Sequence, residues 1–227
     1  MVDLRKTLLF IDRMPLFNMA EKTTLLLIRH AKTESNAPHK FQGRQDSGLS
    51  ELGIRQAFLP GNALKGIPIS AVYTSPLRRA MKTAELAFAG SVPVIVDNAL
   101  AERSFGVLEG ITRDDATKIT ENAVDFYHGM VDDVDIEGVE RLAELQERSF
   151  EALQRIASEN EGKTVALVTH VFWIKGLLCK LNGVKLTELR GKIGNTSITT
   201  IGAVQNGNGL EYVVEKIGEK SHLSALG

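Results

Sequence analysis

Thr24-Leu25-Leu26-Leu27-Ile28-Arg29-His30-Ala31 is the stretch that decides the fold of this chain. Its first five residues form an apolar and β-branched run, which is typical of a strand buried on both faces of a parallel sheet. Such a strand ends at the carboxyl edge of the sheet, where open α/β sheets bind their ligands. Arg29 and His30 come at that point, and a cation beside a titratable nucleophile indicates phosphate chemistry there.

A second strand, predicted over 71–74, is followed directly by the start of a helix. Ser75 suits the N-cap position and Pro76 the first helical position. Arg78 and Arg79 follow in the first turn, where positive charge opposes the helix dipole. A bound anion often explains cations at a helix start. We therefore expect one arginine to bind a phosphate group in bidentate fashion and the other to be exposed.

Two further segments bring polar groups to the same region. The loop 100–110 follows a short strand-like run and carries Glu102 and Glu109. The apolar run 164–169 reads as another buried strand, and it ends at His170. Strand ends that carry Arg-His, Ser-Pro-x-x-Arg and Thr-His, beside a loop with carboxylates, predict one site at the carboxyl edge of the sheet.

The rest of the chain alternates between helix and strand patterns. Helices are predicted over 50–64, 76–88, 140–157 and 172–181, and a terminal hairpin over 197–204 and 211–217. Residues 111–139 are predicted to form part of a lid over the site. Their acids, Asp132, Asp133 and Asp135, are expected to lie in a solvated loop, because no complete calcium-loop spacing follows them.

Composition limits the class of protein. A chain of 227 residues with 43% hydrophobic content is long enough for one globular domain with a sizeable core. A formal charge of −1 gives no bulk field that would favour nucleic acid or an anionic membrane. The apolar run 8–11 is too short to span a membrane. Cys179 is the only cysteine, which excludes an intrachain disulfide and fits a cytoplasmic location; we expect it to be a buried packing thiol.

Several blocks, taken together and in order, resemble the histidine phosphatase superfamily, which has the phosphoglycerate-mutase-like fold. The family's opening Arg-His-Gly-Glu-Thr-x-x-Asn appears at 29–36, its Gly-Arg-x-Asp-x-x-Leu-(Ser/Thr)-x-x-Gly-x-x-Gln-Ala block at 43–57, its Ser-Pro-Leu-x-Arg-Ala-x-x-Thr-Ala block at 75–84, and its Leu-x-Glu-x-x-Phe-Gly-x-x-Glu-Gly block at 100–110. Thr169-His170 and Asn195-Thr196-Ser197 also match. The blocks run from about residue 24 to about residue 214, so the resemblance covers nearly the whole chain.

The resemblance implies an α/β fold, a three-layer sandwich with a mostly parallel central sheet flanked by helices. We expect residues 21–218 to form the histidine phosphatase domain, 1–20 a peripheral and poorly ordered N-terminal extension, and 219–227 a C-terminal tail. The resemblance also implies an enzyme with no metal and no cofactor. Its expected partner is a small phosphorylated substrate, with no nucleic acid and no membrane, and a homodimer is left open.

The resemblance assigns roles to the residues at the strand ends. His30 is the expected nucleophile: its neutral imidazole attacks phosphorus and becomes phosphohistidine, while a backbone carbonyl holds the other ring nitrogen. Arg29, Arg79 and His170 are expected to surround the transferred phosphoryl group and stabilise its charge. The remaining expected phosphate-binding residues are Asn36, Gln42, Gly43 and Glu102.

Two glutamates compete for the role of general acid. The family pattern places it at Glu102, which would protonate the leaving alkoxide and then activate water, and a nearby phosphate dianion would raise its pKa. Glu109 is expected instead to order the turn that follows it. The remaining histidines, His39, His128 and His222, are expected at the solvated surface.

Three functions fit these blocks. We favour a phosphomonoester hydrolase that acts through phosphohistidine on a small phosphorylated metabolite. Only about fifty residues separate Gly110 from Thr164, where the related mutases carry a longer insertion. Phosphoglycerate mutase is the alternative, and a catalytically silent relative that binds phosphorylated ligands is the second alternative.

The chain departs from the family pattern beside both histidines. Ala31 and Lys32 replace the glycine and glutamate that usually follow the first histidine, and Lys32 adds a positive charge at the mouth of the site. Val171 and Phe172 replace small residues after His170, and they are expected to narrow one wall of the site. None of these changes removes a catalytic group, but they weaken any transfer of substrate specificity.

Overall fold

The computed structural model describes residues 22–34, 40–88, 90–189, 191–207 and 209–226. The elements in chain order are β1 (Thr23–Arg29), α1 (Glu51–Ala57), α2 (Leu59–Ala63), β2 (Ile69–Thr74), α3 (Arg78–Phe88), β3 (Val94–Val96), α4 (Arg113–Ala116), α5 (Ala123–His128), α6 (Leu142–Glu159), β4 (Thr164–Thr169), α7 (Val171–Asn182), β5 (Ile198–Asn206) and β6 (Gly209–Glu219). The predicted extension 1–20 and Asn36 and His39 lie outside the described residues.

The strands form one six-stranded sheet in the order β3-β2-β4-β1-β5-β6. The four strands from β3 to β1 run parallel, while β5 and β6 add an antiparallel hairpin at one side. This confirms the predicted α/β class with a mostly parallel sheet. The hairpin is also where the sequence predicts it, with longer strands.

β1 is buried on both faces, as its apolar run predicts. Leu25 and Leu27 belong to a core cluster with side chains of α6 and α7, such as Leu153 and Trp173. Leu26 and Ile28 belong to a second cluster on the opposite side, with Ala80 and Ala84 of α3 among its members. Because alternate residues of a strand point to opposite faces, these two clusters place helices on both sides of the sheet, which gives three layers.

The helix predicted over 50–64 is two helices, α1 and α2. Ser50 caps α1, since its side chain accepts a hydrogen bond from the Gly53 N–H at 3.1 Å. Pro60 causes the break, because a proline inside a continuous helix would remove a backbone hydrogen bond and clash with the preceding turn. The chain therefore starts a new helix after Phe58, with Pro60 in its first turn.

α3 begins at Arg78, two residues later than the Ser-Pro pattern predicts. The Ser75 hydroxyl accepts the Leu77 N–H at 3.2 Å, and the Arg78 N–H donates to Asp46 Oδ1 at 2.9 Å. A carboxylate of the chain itself therefore occupies part of the helix start where the sequence suggests a bound anion. Arg78 is exposed, as expected for one of the two arginines, and Arg79 is buried.

Residues 111–139 contain the short helices α4 and α5. Asp133 is solvent-exposed, as expected, and its carboxylate also accepts from Arg103 Nη2 at 2.6 Å and from the Leu142 N–H at 2.7 Å. The reason is that Arg103 is fully buried and needs an anionic partner. The segment is thereby tied to the start of α6.

The C-terminal segment packs against the domain. Residues Ser221–Leu226 form a 3₁₀ turn after β6. The expectation that His222 is solvated is wrong: its side chain is 7% exposed, and its Nε2–H donates to the Thr196 carbonyl at 3.0 Å.

Candidate active site

The carboxyl ends of three neighbouring parallel strands bring the predicted groups to one edge of the sheet. β2, β4 and β1 lie side by side, and Ser75, His170 and His30 follow them directly. The ring centroids of the two histidines are 5.1 Å apart. Residues that lie far apart in the sequence therefore meet at the edge where α/β sheets bind ligands.

His30 is held as a neutral imidazole. Its side chain is buried, and its Nδ1–H donates to the Ala31 carbonyl at 2.8 Å, which leaves Nε2 as the unprotonated nitrogen. Burial holds the pKa of His30 well below its usual value, and the nearby guanidinium groups of Arg79 and Arg29 lower it further. A neutral imidazole with one free lone pair is what nucleophilic attack requires.

Arg79 is a buried cation beside this ring, and Arg29 is a partly buried one. Arg29 Nη1 donates to the Ile193 carbonyl at 2.8 Å. Arg79 Nη1 and Nη2 donate to the carbonyls of Gln45 and Gly43 at 2.7 and 2.6 Å. Among the residues that the structure describes, the Nε–H of each arginine is buried without a hydrogen-bond acceptor.

Both guanidinium groups stay charged at neutral pH. Burial lowers the pKa of Arg79 to about 10, a fall that the carboxylates of Glu102 and Asp46 limit. Burial also lowers the pKa of Arg29. Unsatisfied buried donors are costly, so two charged groups with free Nε–H donors form a site prepared for an anion.

His170 is fully buried beside His30, and it is not among the described residues that line the cavity. Its Nε2 is 2.7 Å from Ser75 Oγ, and that same oxygen already accepts the Leu77 N–H. The Ser75 hydroxyl has no other hydrogen-bond acceptor among the described residues, so we assign its proton to Nε2, which places the ring's own proton on Nδ1. Nδ1 has no hydrogen-bond partner within the described parts of the chain. Burial, with Arg79 next, holds the pKa of His170 well below its usual value, so the ring is a neutral donor.

Glu102 is buried at the start of α7. Its Oε1 accepts from the N–H groups of Arg103 and Trp173 at 2.9 and 3.2 Å, and its Oε2 accepts from the Phe172 N–H at 3.4 Å. The carboxyl group thus caps a helix N-terminus, a role that the sequence analysis missed. Burial raises the pKa of Glu102, although the Arg103 N–H and the charge of Arg79 oppose the rise.

Glu109 orders the loop that carries Gly43. Its Oε1 accepts from the N–H groups of Arg44 and Phe105 at 2.9 and 3.0 Å. Gly43 has a φ of +51°, and a Cβ there would lie 2.1 Å from Glu109 Oε1. Glu109 does order a turn, as expected. That turn is the one that contains Gly43, and not the turn that follows Glu109 in the sequence.

These groups face a cavity of about 240 Å³. The predicted residues that line it are Arg29, His30, Gln42, Gly43, Arg79 and Glu102. Phe172 forms part of one wall, as expected, and packs edge-to-face on Phe105 with ring centroids 5.4 Å apart. Gln42 Nε2 is buried without an acceptor among the described residues, which adds another donor prepared for an anion.

The sequence analysis missed several other lining residues, which are Lys40, Phe41, Tyr127, His128 and Lys175. His128 is exposed, as expected, but it also lines the cavity, and its Nε2 accepts from Arg113 Nη1 at 3.1 Å. Lys175 follows Phe172 by one helical turn on α7, which is the one signal that could have placed it on the same wall. No group of three or more acidic, histidine or cysteine side chains able to hold a metal occurs in the described segments.

Two buried histidines between arginines, with a carboxyl group at the same sheet edge, define a phosphoryl-transfer enzyme. The sequence profile of the histidine phosphatase superfamily (branch 1) matches residues 25–216, and the chain belongs to this family. The predicted family, fold class and enzyme class are thereby confirmed. No helix within the described ranges is long and apolar enough to cross a membrane.

Relatives and solved structures agree with this assignment. The chain is 34% identical to phosphoglycerate mutase-like protein 4 of Arabidopsis thaliana, over 89% of this chain and 88% of that protein. It is 29% identical to the metal-independent phosphoserine phosphatase of the same plant, over 92% of this chain and 86% of that protein. The crystal structure of phosphoserine phosphatase from Entamoeba histolytica in complex with 3-phosphoglyceric acid is similar, with a TM-score of 0.75 and 31% identity over 88% of this chain and 99% of that one.

Proposed function

We propose that this protein hydrolyses small phosphomonoesters by transferring the phosphoryl group first to His30 and then to water. The observation that carries the proposal is the state of His30. Its Nε2 is unprotonated, and it lies near two guanidinium groups whose buried Nε–H donors have no acceptor in the described part of the chain. Relatives that act on phosphoserine support a small phosphorylated metabolite as the substrate.

In the first step, His30 Nε2 attacks phosphorus and the bond to the leaving oxygen breaks. Arg29 and Arg79 stabilise the charge on the equatorial phosphoryl oxygens, and the His170 Nδ1–H donates to one of them. Gln42 and Gly43 line the same end of the cavity and are assigned to phosphate binding. Asn36 stays assigned there from the sequence alone.

Glu102 is assigned the proton transfers of both steps. In the first, its carboxyl group gives a proton to the leaving alkoxide; in the second, its carboxylate takes a proton from water as that water attacks the phosphohistidine. Its raised pKa supports the first role, because the group must hold a proton while it lies near two arginines. The N–H groups at the start of α7 support the second role by stabilising the carboxylate.

Trapping the intermediate tests the proposal. A rapid quench of enzyme with a ³²P-labelled phosphomonoester is expected to yield protein-bound label that is labile to acid and stable to base. The label should be absent in His30→Ala and present in His128→Gln, which changes an exposed histidine at the cavity. Label that survives in His30→Ala would exclude His30 as the nucleophile.

We also propose a cytoplasmic location. The support is the single cysteine, which is a buried thiol whose pKa burial raises to about 11 and which shows no sign of reactive chemistry. The homodimer and the domain limits at residues 21 and 218 stay predictions.

A further inference from the structure

Lys175 is a charged side chain in the cavity that the phosphoryl-transfer chemistry does not use. It lies on α7, is only partly exposed, and lines the same cavity as His30 and Arg79. Its ammonium group is 5.6 Å from the centroid of the Phe172 ring. No carboxylate and no hydrogen-bond acceptor among the described residues pairs with it.

Lys180, on the same helix, provides a comparison, because it has an anionic partner. Its ammonium group forms an ion pair with Glu147 on α6. Lys175 has no such partner in the part of the chain that the structure describes, and burial lowers its pKa, with the nearby Arg29 guanidinium adding to the effect. A partly buried ammonium group without an anion is unfavourable, and an anionic group of a ligand would satisfy it.

The lining of the cavity carries enough positive charge to bind a second anionic group. Among the described residues, the lining carries four cations, Arg29, Lys40, Arg79 and Lys175, and one carboxyl group, that of Glu102. Glu102 must be protonated when the leaving group departs, so it offers no negative charge at that stage. Arg29 and Arg79 meet the phosphoryl dianion, which leaves the positive charges of Lys40 and Lys175 for another anionic group.

We propose that Lys175 binds the carboxylate of the substrate, so that the substrates are small carboxylic acids phosphorylated on a hydroxyl group. This rests on the proposed function, since it assigns the part of the same substrate that is not transferred. A single ammonium group beside aromatic rings matches a carboxylate monoanion. A second phosphate dianion would need several donors, such as the guanidinium groups of Arg29 and Arg79 supply to the transferred phosphoryl group.

A matched pair of substrates isolates the carboxylate. O-Phospho-L-serine and O-phosphoethanolamine differ only by that group, and 3-phosphoglycerate and glycerol 3-phosphate form a second pair. Wild-type enzyme is expected to favour the carboxylate-bearing member of each pair in kcat/KM. In Lys175→Met this preference should fall by about ten- to hundredfold, mostly through KM, because a charge-assisted hydrogen bond is lost.

Two further variants complete the kinetic test. Lys175→Arg, which keeps the charge, should retain most of the preference, and Lys180→Met should leave it intact. A wild-type enzyme without the preference, or a preference that is unchanged in Lys175→Met, would overturn the carboxylate site.

Binding separates this proposal from the proposed function. In His30→Ala, which cannot form phosphohistidine, calorimetry should show O-phospho-L-serine binding more tightly than O-phosphoethanolamine, and Lys175→Met in the same background should remove the difference. That result would support the carboxylate site even if wild-type enzyme hydrolysed neither ester. Equal affinities in the His30→Ala background would overturn it even if hydrolysis were efficient.

Discussion

Ser75 sets the state of the second histidine. It is fully buried, and its hydroxyl group links the Leu77 N–H to His170 Nε2. Since the hydroxyl proton has no other acceptor among the described residues, it is assigned to Nε2, and the His170 ring then carries its own hydrogen on Nδ1. The Ser-Pro block therefore contributes more than a helix start. It prepares a donor that is neutral and correctly protonated before substrate arrives.

We predict that Ser75→Ala lowers kcat by about tenfold with little change in KM, a fraction of the roughly 10²–10³ lost when such a donor is removed outright. Steady-state kinetics on one phosphomonoester measures the changes in kcat and KM separately. Ser149→Ala is the control, since Ser149 is another fully buried serine, on α6, whose hydroxyl donates to the Gln146 carbonyl. An unchanged kcat in Ser75→Ala would show that the tautomer of His170 does not matter.

The pKa shifts of His30 and Glu102 predict how activity depends on pH. The pKa of His30 is held well below its usual value by burial and by Arg79, so activity should persist as the pH falls through the normal imidazole range. The pKa of Glu102 is raised by burial, so its protonated form, the acid, should be lost only as the pH rises above the usual carboxyl range.

Glu102→Gln should therefore remove the alkaline limb of the pH profile. It should also depress turnover of an alkyl phosphate by roughly 10²–10⁴, but that of p-nitrophenyl phosphate much less, because nitrophenolate leaves without a proton. Profiles of kcat/KM for both esters measure the two effects. Glu85→Gln, at an exposed position on α3, is the control. Equal losses on both esters would show that Glu102 is not the acid.

At the scale of elements, Arg103 connects the segment 111–139 to the body of the domain. Its Nη2 donates to Asp133, its Nε donates to the Glu140 carbonyl at 2.8 Å, and its guanidinium group lies 4.8 Å from the Phe126 ring centroid on α5. Asp133 also accepts the first N–H of α6. One ion pair therefore fixes a helix start and a wall of the cavity together.

We predict that Asp133→Ala lowers the free energy of unfolding by about 1–2 kcal/mol, because a buried guanidinium group loses its anion while the half-exposed carboxylate limits the loss. Urea unfolding monitored by circular dichroism measures the change. The exposed neighbour Asp135 serves for comparison, and Asp135→Ala should stay within about 0.5 kcal/mol of wild type. Equal effects of the two substitutions would contradict the role of the Arg103–Asp133 pair.

The sequence could predict the part of the site that follows strand ends. His30, Ser75 and His170 come directly after buried apolar runs, so their meeting at one edge follows from the parallel sheet alone. It could not predict Tyr127 or His128, which reach the cavity only because α5 packs against the buried Phe41 and Phe105, and for Lys175 it offered only the helical spacing from Phe172. The pairing of Arg103 with Asp133 was equally inaccessible, since it joins segments thirty residues apart that no local pattern links.

At the scale of the whole molecule, the open cavity mouth bears on the choice between hydrolysis and phosphoryl exchange. The acids of 111–139 would not repel a polyanionic intermediate in the cavity, because Asp133 is paired with Arg103 and neither Asp132 nor Asp135 lines the cavity. The property that then bears on the choice is the access of water to the site. Lys40 and His128 line the mouth and are exposed, so the described part of the chain does not close the site.

A mutase must keep water from the phosphohistidine while the bound intermediate reorients, which requires a closed cover. We therefore predict that, with 3-phosphoglycerate and 2,3-bisphosphoglycerate supplied together, inorganic phosphate forms faster than 2-phosphoglycerate. Both products can be followed in one reaction, by phosphate release and by coupling 2-phosphoglycerate to enolase, with His30→Ala giving neither. Isomer that forms much faster than phosphate would assign this chain to the mutases. The name of the 34% identical plant relative, phosphoglycerate mutase-like protein 4, also refers to that activity. In that case the exposed mouth would have to close when substrate binds, because an open one commits the phosphohistidine to water.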